Sequence, residues 1–86
     1  MSARSYSLAD LAPDLQDVTV AAWYVRPGQD VRADDDLVDL VTDKAAITLP
    51  VPTTGRVVRL GPERDAGVAP DDFLVTIETG DNGGLS

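Results

Sequence analysis

The chain contains a single lysine, Lys44, in the stretch VTDKAAI, although it has six arginines. Lysine combines a long flexible stem with an amine that forms stable amide bonds, so this side chain is a position where a group can be attached. The chain has no cysteine and no histidine. This excludes thiolate nucleophiles, disulfides, zinc ligation by sulfur or imidazole, and a histidine general base. Its own side chains are therefore poor candidates to catalyse a reaction.

The size and charge of the chain limit the kinds of partner and location that it can have. A chain of 86 residues and 9.1 kDa predicts one domain with a thin core. The net charge of −8 argues against binding to nucleic acid or anionic membranes; it suggests protein partners with basic surfaces, or serves only solubility. No apolar segment is long enough to span a membrane, and the N-terminus lacks the apolar region of a signal peptide. We expect a cytoplasmic protein, and the arginine-rich, lysine-poor composition suggests a bacterial one.

The elements that position Lys44 are predicted to be strands, because apolar residues alternate with period two and turn residues separate the runs. The predicted strands cover residues 18–25, 37–42, 45–49, 55–60 and 73–78, with shorter pieces at 6–9, near Val31 and near Val68. Asp43 and Lys44 separate two of them, which predicts a tight hairpin with Lys44 at its tip. Residues 10–17 are predicted to form a loop. Residues 80–86 are predicted to be a flexible tail after a domain at 1–79.

An internal repeat accompanies this pattern. The stretch VRPGQDVRADDDLVDL, from Val25, aligns with VRLGPERDAGVAPDDFLVTI, from Val58, if the second copy takes a four-residue insertion after its glycine, Gly61. Such a repeat predicts two copies of one unit about a pseudo-two-fold axis. The alternative is that short β-rich segments resemble one another through shared patterning. The equivalent core positions predicted by the repeat are Val38, Leu40, Val75 and Ile77.

The same residues resemble a known family. The run WYVRPGQDVRADDDLVDLVTDKAAITLPVPTTGRVVRLG is similar to the lipoyl domains of 2-oxoacid dehydrogenase acyltransferases, and the similarity covers nearly the whole chain. Its most specific part is Thr42, Asp43, Lys44 and Ala45, which resembles the lipoyl attachment signature. The glycines and prolines that match the family pattern are Gly28, Pro50, Pro52 and Gly55. The resemblance implies an all-β fold, a flattened barrel of two four-stranded antiparallel sheets with quasi-two-fold symmetry.

The resemblance also implies a function without catalysis. Lys44 would carry lipoic acid through an amide, as a swinging arm that takes acyl groups and reducing equivalents between active sites, with Thr42, Asp43 and Ala45 shaping its turn. Asp43 is either a residue by which the ligase recognises its lysine or a turn former that hydrogen-bonds its own backbone. The implied partners are a lipoate ligase or lipoyl transferase, and the 2-oxoacid dehydrogenase, acyltransferase and dihydrolipoyl dehydrogenase components. The domain is expected to be monomeric. Met1 favours a free-standing carrier, which would also suit a biosynthetic pathway, over an excised domain.

Two departures from the family pattern concern charge. Val41 and Thr48 stand where family members commonly carry acidic residues, and the loss of both removes charge from the hairpin. The N-terminal loop also differs, since residues 12–14 are Ala-Pro-Asp where Gly-Glu is common. These differences keep open an unmodified interaction module with the carrier fold.

Other carriers fit less well. Biotin carriers share the fold but flank their lysine with methionines, whereas Asp43 and Ala45 flank Lys44. The glycine pair at 83–84 is predicted to belong to the tail and not to a ubiquitin-like sulfur carrier, because no helical pattern accompanies it. The acidic run 34–36 lacks the alternate spacing of a calcium loop and is predicted to be a solvated turn. Trp23 is predicted to pack in the core or at the rim of the barrel and not to form a binding platform.

Overall fold

Residues 2–79 are described by the computed structural model, and the predicted tail at 80–86 lies outside them. They form eight strands and one helical turn. In chain order these are β1 (Ser2–Ser7), α1 (Leu8–Leu11), β2 (Val18–Trp23), β3 (Asp30–Val31), β4 (Asp36–Val41), β5 (Ala46–Pro50), β6 (Gly55–Leu60), β7 (Gly67–Val68) and β8 (Phe73–Thr79).

The strands form two four-stranded sheets, with the orders β1-β8-β6-β3 and β5-β4-β2-β7. Every pairing is antiparallel. The predicted all-β fold of two four-stranded antiparallel sheets is therefore confirmed. No helix among residues 2–79 has the length and apolar character needed to cross a bilayer.

The predicted strand boundaries agree to within one or two residues except at the N-terminus. The predicted strand at 6–9 is correct for its first two residues and wrong for residues 8–9, because β1 ends at Ser7 and a helical turn begins at Leu8. The Ser7 hydroxyl accepts a hydrogen bond from the Asp10 amide, and the Asp10 carboxylate accepts one from the Ser7 amide. This capping box satisfies amides that a strand would leave free, so the chain turns here. The turn also includes the first two residues of the predicted loop at 10–17.

The core lies between the sheets and consists of leucine, valine and isoleucine. The four predicted equivalent positions, Val38, Leu40, Val75 and Ile77, are all completely buried. Alternation is less strict at the start of β4 and of β8, because a register shift against the edge strand leaves one extra residue there, Leu37 in β4 and Leu74 in β8. Burial of this apolar face is the main term that stabilises the sandwich.

The pseudo-two-fold symmetry is confirmed by the order of the strands. Each strand of one sheet occupies the place held in the other sheet by the strand four earlier or four later in the chain, since β1-β8-β6-β3 corresponds to β5-β4-β2-β7. Two turns repeat in detail. The Asp35 carboxylate accepts from the Arg32 amide at 3.0 Å, and the Asp72 carboxylate accepts from the Ala69 amide at 2.8 Å. In both turns the aspartate amide donates back to the carbonyl of the first residue at 3.0 Å. The second half of the predicted alignment is therefore correct.

The four-residue insertion is wrong. Equivalent residues are numbered 37 apart through both halves, as in the bulges that follow Val20 in β2 and Val57 in β6. Gly28 corresponds to Asp65 and not to Gly61, since both residues have positive φ, 90° and 72°. The Gly28 amide donates to the Val57 carbonyl, and the Asp65 amide donates to the Val20 carbonyl. Aspartate tolerates this conformation better than most residues, which hid the equivalence from a comparison of glycines.

Gly61 has a different role. Its amide donates to the Leu74 carbonyl, as the Tyr24 amide does to the Leu37 carbonyl, so Tyr24 is its equivalent. A Cβ added at Gly61 would lie 2.1 Å from the Phe73 carbonyl oxygen. The glycine is needed for the close approach of two strands and does not form a turn.

Candidate attachment site

The candidate site is the hairpin between β4 and β5. The two strands pair from Asp36 opposite Pro50 to Val41 opposite Ala46, and residues 42–45 connect them. The Thr42 amide donates to the Ala45 carbonyl at 2.8 Å, which continues the ladder by one pair beyond the strands. The two-residue turn predicted for Asp43 and Lys44 is therefore observed.

The Thr42 side chain closes this turn. Its hydroxyl oxygen accepts from the Lys44 amide at 3.1 Å and from the Ala45 amide at 3.0 Å, and the hydroxyl donates to the Ala45 carbonyl at 3.2 Å. Two-residue hairpins usually need positive φ in the turn to match the twist of their strands. Among residues 2–79, the only non-glycine residues with positive φ are Asp34 and Asp65. The hydroxyl thus holds a turn that lacks the usual backbone conformation.

Lys44 and Asp43 are both exposed at the tip. Within residues 2–79 the only ion pair joins Arg56 to Asp30 at 3.2 Å, so no carboxylate holds the Lys44 amine at the protein surface. The turn backbone is fixed while the side chain extends into solvent. This arrangement presents an amine on a rigid and convex support, which suits a position that other proteins must reach.

The loop before β2 lies beside the tip. A shallow groove separates the loop from the hairpin, and Leu15 anchors the loop against the core. The groove is lined by Asp14, Leu15, Gln16 and Asp17 from the loop and by Thr42, Asp43 and Lys44 from the turn. The sequence marked this loop as different from the family pattern at Asp14 but gave no signal for Asp17, because the two segments are remote along the chain.

A hydrogen-bonded cluster lies on the outer surface of the same sheet, at the next outward-facing pair of residues beyond Val41 and Ala46. The Asp39 carboxylate on β4 accepts from the Thr48 hydroxyl on β5 and from the Tyr24 hydroxyl at the end of β2. These two hydrogen bonds, that from Thr48 foremost, lower the pKa of Asp39 below its ordinary value. The hydrogen bond to Asp39 raises the pKa of Tyr24. The sequence did not predict this cluster.

Both positions that depart from the family pattern lie on this outer surface. Val41 is 40% exposed, and its cross-strand partner is Ala46. Thr48 lies opposite Asp39 and uses its hydroxyl to satisfy that carboxylate. Val41 and Ala46 form one outward-facing pair, and Asp39 and Thr48 form the next one away from the turn. Val41 and Thr48 therefore lie in neighbouring rows of this surface, and neither residue is in the core.

The structure also tests the sequence predictions for the acidic run 34–36 and for Trp23. Asp35 uses its carboxylate to cap a turn and Asp34 has a φ of 76°, so the predicted turn is observed at these two residues, whereas Asp36 already begins β4. No group of three metal-ligating side chains occurs in the described part of the chain. Trp23 is half-buried against the core and donates from Nε1 to the Pro62 carbonyl at 2.9 Å, which confirms a packing position.

Comparison with known proteins identifies the family. The sequence matches the biotin/lipoyl family, described as "Biotin-requiring enzyme", over residues 7–77. This is most of the chain. The chain belongs to the biotin/lipoyl family. The predicted resemblance to the biotinyl and lipoyl attachment domains is therefore confirmed.

Relatives within this family are acyltransferase components. The chain is 28% identical over 86 residues to the lipoamide acyltransferase component of the branched-chain alpha-keto acid dehydrogenase complex of Pseudomonas aeruginosa, covering 100% of the chain and 20% of that protein. It is 31% identical over 75 residues to the dihydrolipoyllysine-residue acetyltransferase component of the pyruvate dehydrogenase complex of Acholeplasma laidlawii, covering 87% of the chain and 14% of that protein. The chain thus spans about a fifth or less of the length of these curated relatives.

A solved structure shows the same fold. The lipoyl domain of the 2-oxoglutarate dehydrogenase complex from Azotobacter vinelandii superposes with a TM-score of 0.72 at 23% identity, covering 90% of this chain and 98% of that one. The names of these two relatives specify lipoamide and dihydrolipoyllysine, so the comparisons do not favour a biotin carrier.

Proposed function

We propose that this biotin/lipoyl domain is a lipoyl carrier in which Lys44 bears lipoic acid through an amide bond. The observation that supports this most strongly is the position of the chain's one lysine. Lys44 is exposed at the tip of a hairpin turn, and the Thr42 hydroxyl holds that turn through hydrogen bonds from the Lys44 and Ala45 amides. The names of the relatives specify lipoamide and dihydrolipoyllysine. Asp43 and Ala45 complete the turn and shape its backbone.

Attachment requires an activated lipoyl group, such as a mixed anhydride or thioester, supplied by a ligase or transferase. The neutral Lys44 amine attacks the acyl carbon, a C–N bond forms, the bond to the leaving group breaks, and the amine loses a proton. The positive charge of Lys44 disappears in the amide. The residues present fit this group, because the tip is exposed and needs no enclosing pocket for an arm that has to leave the surface.

The residues of the domain position the arm and do not perform its chemistry. When attached, lipoic acid supplies a dithiolane that accepts acyl groups and electrons. Thr42 fixes the direction in which the Lys44 stem leaves the turn, since its hydroxyl holds the Lys44 amide. The core beneath β4 keeps the hairpin rigid. Motion is therefore confined to the side chain and its cofactor, which raises the effective concentration of the arm at a docked enzyme.

The proposed partners follow from this role. They are a lipoate ligase or lipoyl transferase for attachment, and 2-oxoacid dehydrogenase, acyltransferase and dihydrolipoyl dehydrogenase components for the cycle. The acidic residues of a chain with net charge −8 attract partners with basic surfaces at long range. We place the unit at residues 1–79, as a monomeric domain in the bacterial cytoplasm, either within such a complex or as a free-standing carrier for a biosynthetic pathway.

The proposal is tested by incubating the purified chain with ATP, a bacterial lipoate ligase and lipoate, and in parallel with a biotin ligase and biotin. Intact mass is measured for the native chain and for Lys44→Arg. We expect one lipoyl increment on the native chain, none on the arginine variant, and no biotinyl increment. A native chain that gains no lipoyl group contradicts the proposal and favours an unmodified interaction module.

A further inference from the structure

The pseudo-two-fold symmetry gives the molecule two equivalent outer faces, which can be compared position by position. We define the hairpin face as the outer surface of the sheet that contains β4 and β5, at two rows beside the turn. We define the counterpart face by the equivalent rows of the other sheet. The rows of the hairpin face are Thr19, Val41 and Ala46, then Ala22, Asp39 and Thr48. The rows of the counterpart face are Arg56, Glu78 and Ala3, then Arg59, Thr76 and Ser5.

The two faces differ sharply in charge. On the counterpart face, Arg56, Glu78 and Arg59 occupy three of the six positions. The equivalent positions on the hairpin face hold Thr19, Val41 and Ala22, none of which is charged. In a chain where 26% of residues are charged, these six positions of the hairpin face therefore carry a single charged group. The fold is the same on both sides, so the backbone does not account for the difference.

The one charged group on the hairpin face, Asp39, already has its hydrogen-bond partners within the domain. Its carboxylate oxygens accept from the Thr48 and Tyr24 hydroxyls, one on each oxygen. A carboxylate that is hydrogen-bonded at both oxygens loses less when a neighbouring surface displaces water than a free carboxylate does. The face is thus prepared for contact with an uncharged surface.

Apolar groups on this face are open to solvent. Val41 is 40% exposed, and Tyr24, whose hydroxyl reaches Asp39, is 49% exposed. Ala46 is also exposed; it lies opposite Val41 and is the first residue of β5 after the turn. These groups are continuous with Lys44, because only residues 42–45 separate Val41 from Ala46. A protein that reaches the Lys44 amine meets this surface first on the β4 and β5 side.

We infer that the hairpin face is the docking surface for the enzyme that attaches the cofactor to Lys44, and that this enzyme meets it with an uncharged surface beside its active-site entrance. The inference rests on the proposed attachment at Lys44. The exposed Val41 and Ala46 supply the contact, and their lack of charge is the feature that is recognised. The acidic remainder of the domain acts at longer range and guides the encounter.

The length of the arm identifies the attaching enzyme as the occupant. Before modification, the reactive amine is separated from the backbone only by the four-carbon stem of Lys44. The enzyme body must therefore come into contact with the strands that flank the turn. After modification the reactive end of the arm lies much farther from the backbone, so later enzymes can act on it without covering Val41 or Ala46.

The test compares one substitution at two equivalent positions. Ala46 and Ala3 are both exposed and pair with the equivalent residues Val41 and Glu78. The variants are Ala46→Glu, Ala46→Lys, Ala3→Glu and Ala3→Lys, and the measurement is kcat/KM for lipoylation by a bacterial lipoate ligase, followed by intact mass. Both Ala46 variants are expected to lower kcat/KM by about tenfold, since either charge would be buried without a partner. The Ala3 variants are expected to remain within about twofold of the native chain.

The other outcomes overturn the inference. Opposite effects of Ala46→Glu and Ala46→Lys would show recognition by charge, and equal rates for all variants would show that the face is not contacted. A loss in all four variants would show a general effect of charge on the domain. Thermal unfolding checks that each variant is folded, and Thr19→Glu and Thr19→Lys, which lie in the same row, replace any Ala46 variant that is not. A native chain that the ligase leaves unmodified contradicts the proposed function instead.

Discussion

At the scale of single residues, the hydroxyl of Thr42 fixes the conformation from which the Lys44 side chain extends. It accepts from two successive backbone amides and donates to the Ala45 carbonyl, so one side chain replaces the positive-φ conformation that two-residue hairpins commonly use. The sequence singled out Thr42 by resemblance to a signature, and the structure supplies the physical reason for a hydroxyl at that position.

We predict that Thr42→Val lowers the rate of lipoylation and destabilises the domain by about 1 kcal/mol, because valine has the same shape but no hydroxyl. The effect on stability is modest because water reaches the freed amides at this exposed turn. Thr42→Ser keeps the hydroxyl and is the matched control. The measurements are denaturant unfolding and intact mass during lipoylation. If the valine variant matches the serine variant in both stability and lipoylation rate, the hydrogen bonds of the Thr42 hydroxyl have no role.

The hydrogen bonds of Asp39 predict a dependence of stability on pH. Since the folded protein lowers the pKa of Asp39 below 3.8, the carboxylate contributes stability above that value and loses it as the pH falls through the folded pKa. The Thr48 hydroxyl is the leading cause of the lowered pKa. We therefore expect Thr48→Val to unfold with a weaker dependence on pH in the acidic range than the native chain.

The control for this prediction is Thr19→Val, on the same outer face, which leaves the hydrogen bonds of Asp39 in place. Thermal unfolding midpoints from pH 7 down to about pH 2 provide the comparison. Asp10, whose pKa is also lowered by its hydrogen bonds with Ser7, contributes to the acid dependence of both variants and cancels between them. Parallel curves for Thr48→Val and Thr19→Val would contradict the assignment.

At the scale of elements, most strands follow from periodicity because burial on one face imposes alternation. The strand β6 was predicted with its observed bounds, Gly55–Leu60, and β8 was predicted one residue short. The failure at 8–9 has a local cause, since the hydrogen bonds between Ser7 and Asp10 compete successfully with the strand. Alternation does not report side-chain caps of this kind, and the predicted strand extended past Ser7 for that reason.

Gly61 shows what a repeat in the sequence does not reveal about an element. Sequence alignment pairs Gly61 with Gly28. In the structure a glycine is needed at position 61 because a Cβ there would lie 2.1 Å from the Phe73 carbonyl oxygen. We predict that Gly61→Ala destabilises the domain by about 2 kcal/mol or more, because β6 and β8 must separate. Thermal unfolding measures the loss, expected at roughly 10 °C for a domain of this size.

The control glycine is Gly67 in β7, where an added Cβ meets only the Val18 carbonyl at 4.0 Å. Gly67→Ala is expected to change the unfolding midpoint by no more than about 2 °C. If both alanine variants unfold at the same temperature, close approach is not what Gly61 provides.

At the scale of the whole molecule, one backbone plan is used twice and only one copy carries the candidate site. The four equivalent core positions were predictable, because burial constrains them in both halves. The equivalence of Gly28 and Asp65 was not predictable, since different residues satisfy the same positive φ. The charge difference between the two outer faces also required the structure, because residues such as Val41 and Glu78 become comparable only once the strand register is known.

The site itself divides in the same way. Lys44 and its turn were predictable from a single lysine between two strand patterns and from the resemblance of its neighbours. The Asp39 cluster and the groove at Asp17 were not, since they join segments that are distant in sequence. Local pattern therefore indicates the proposed attachment residue, and tertiary structure determines which surfaces lie beside it.

The most direct test of the central claim is a tryptic digest of the native chain after expression in cells that contain lipoate and a lipoate ligase. Trypsin cleaves after Arg32 and Arg56, and after Lys44 only if its amine is free. The account predicts an uncleaved peptide of residues 33–56 that carries one lipoyl group, with fragmentation placing the group on Lys44. Two unmodified peptides, 33–44 and 45–56, would contradict it.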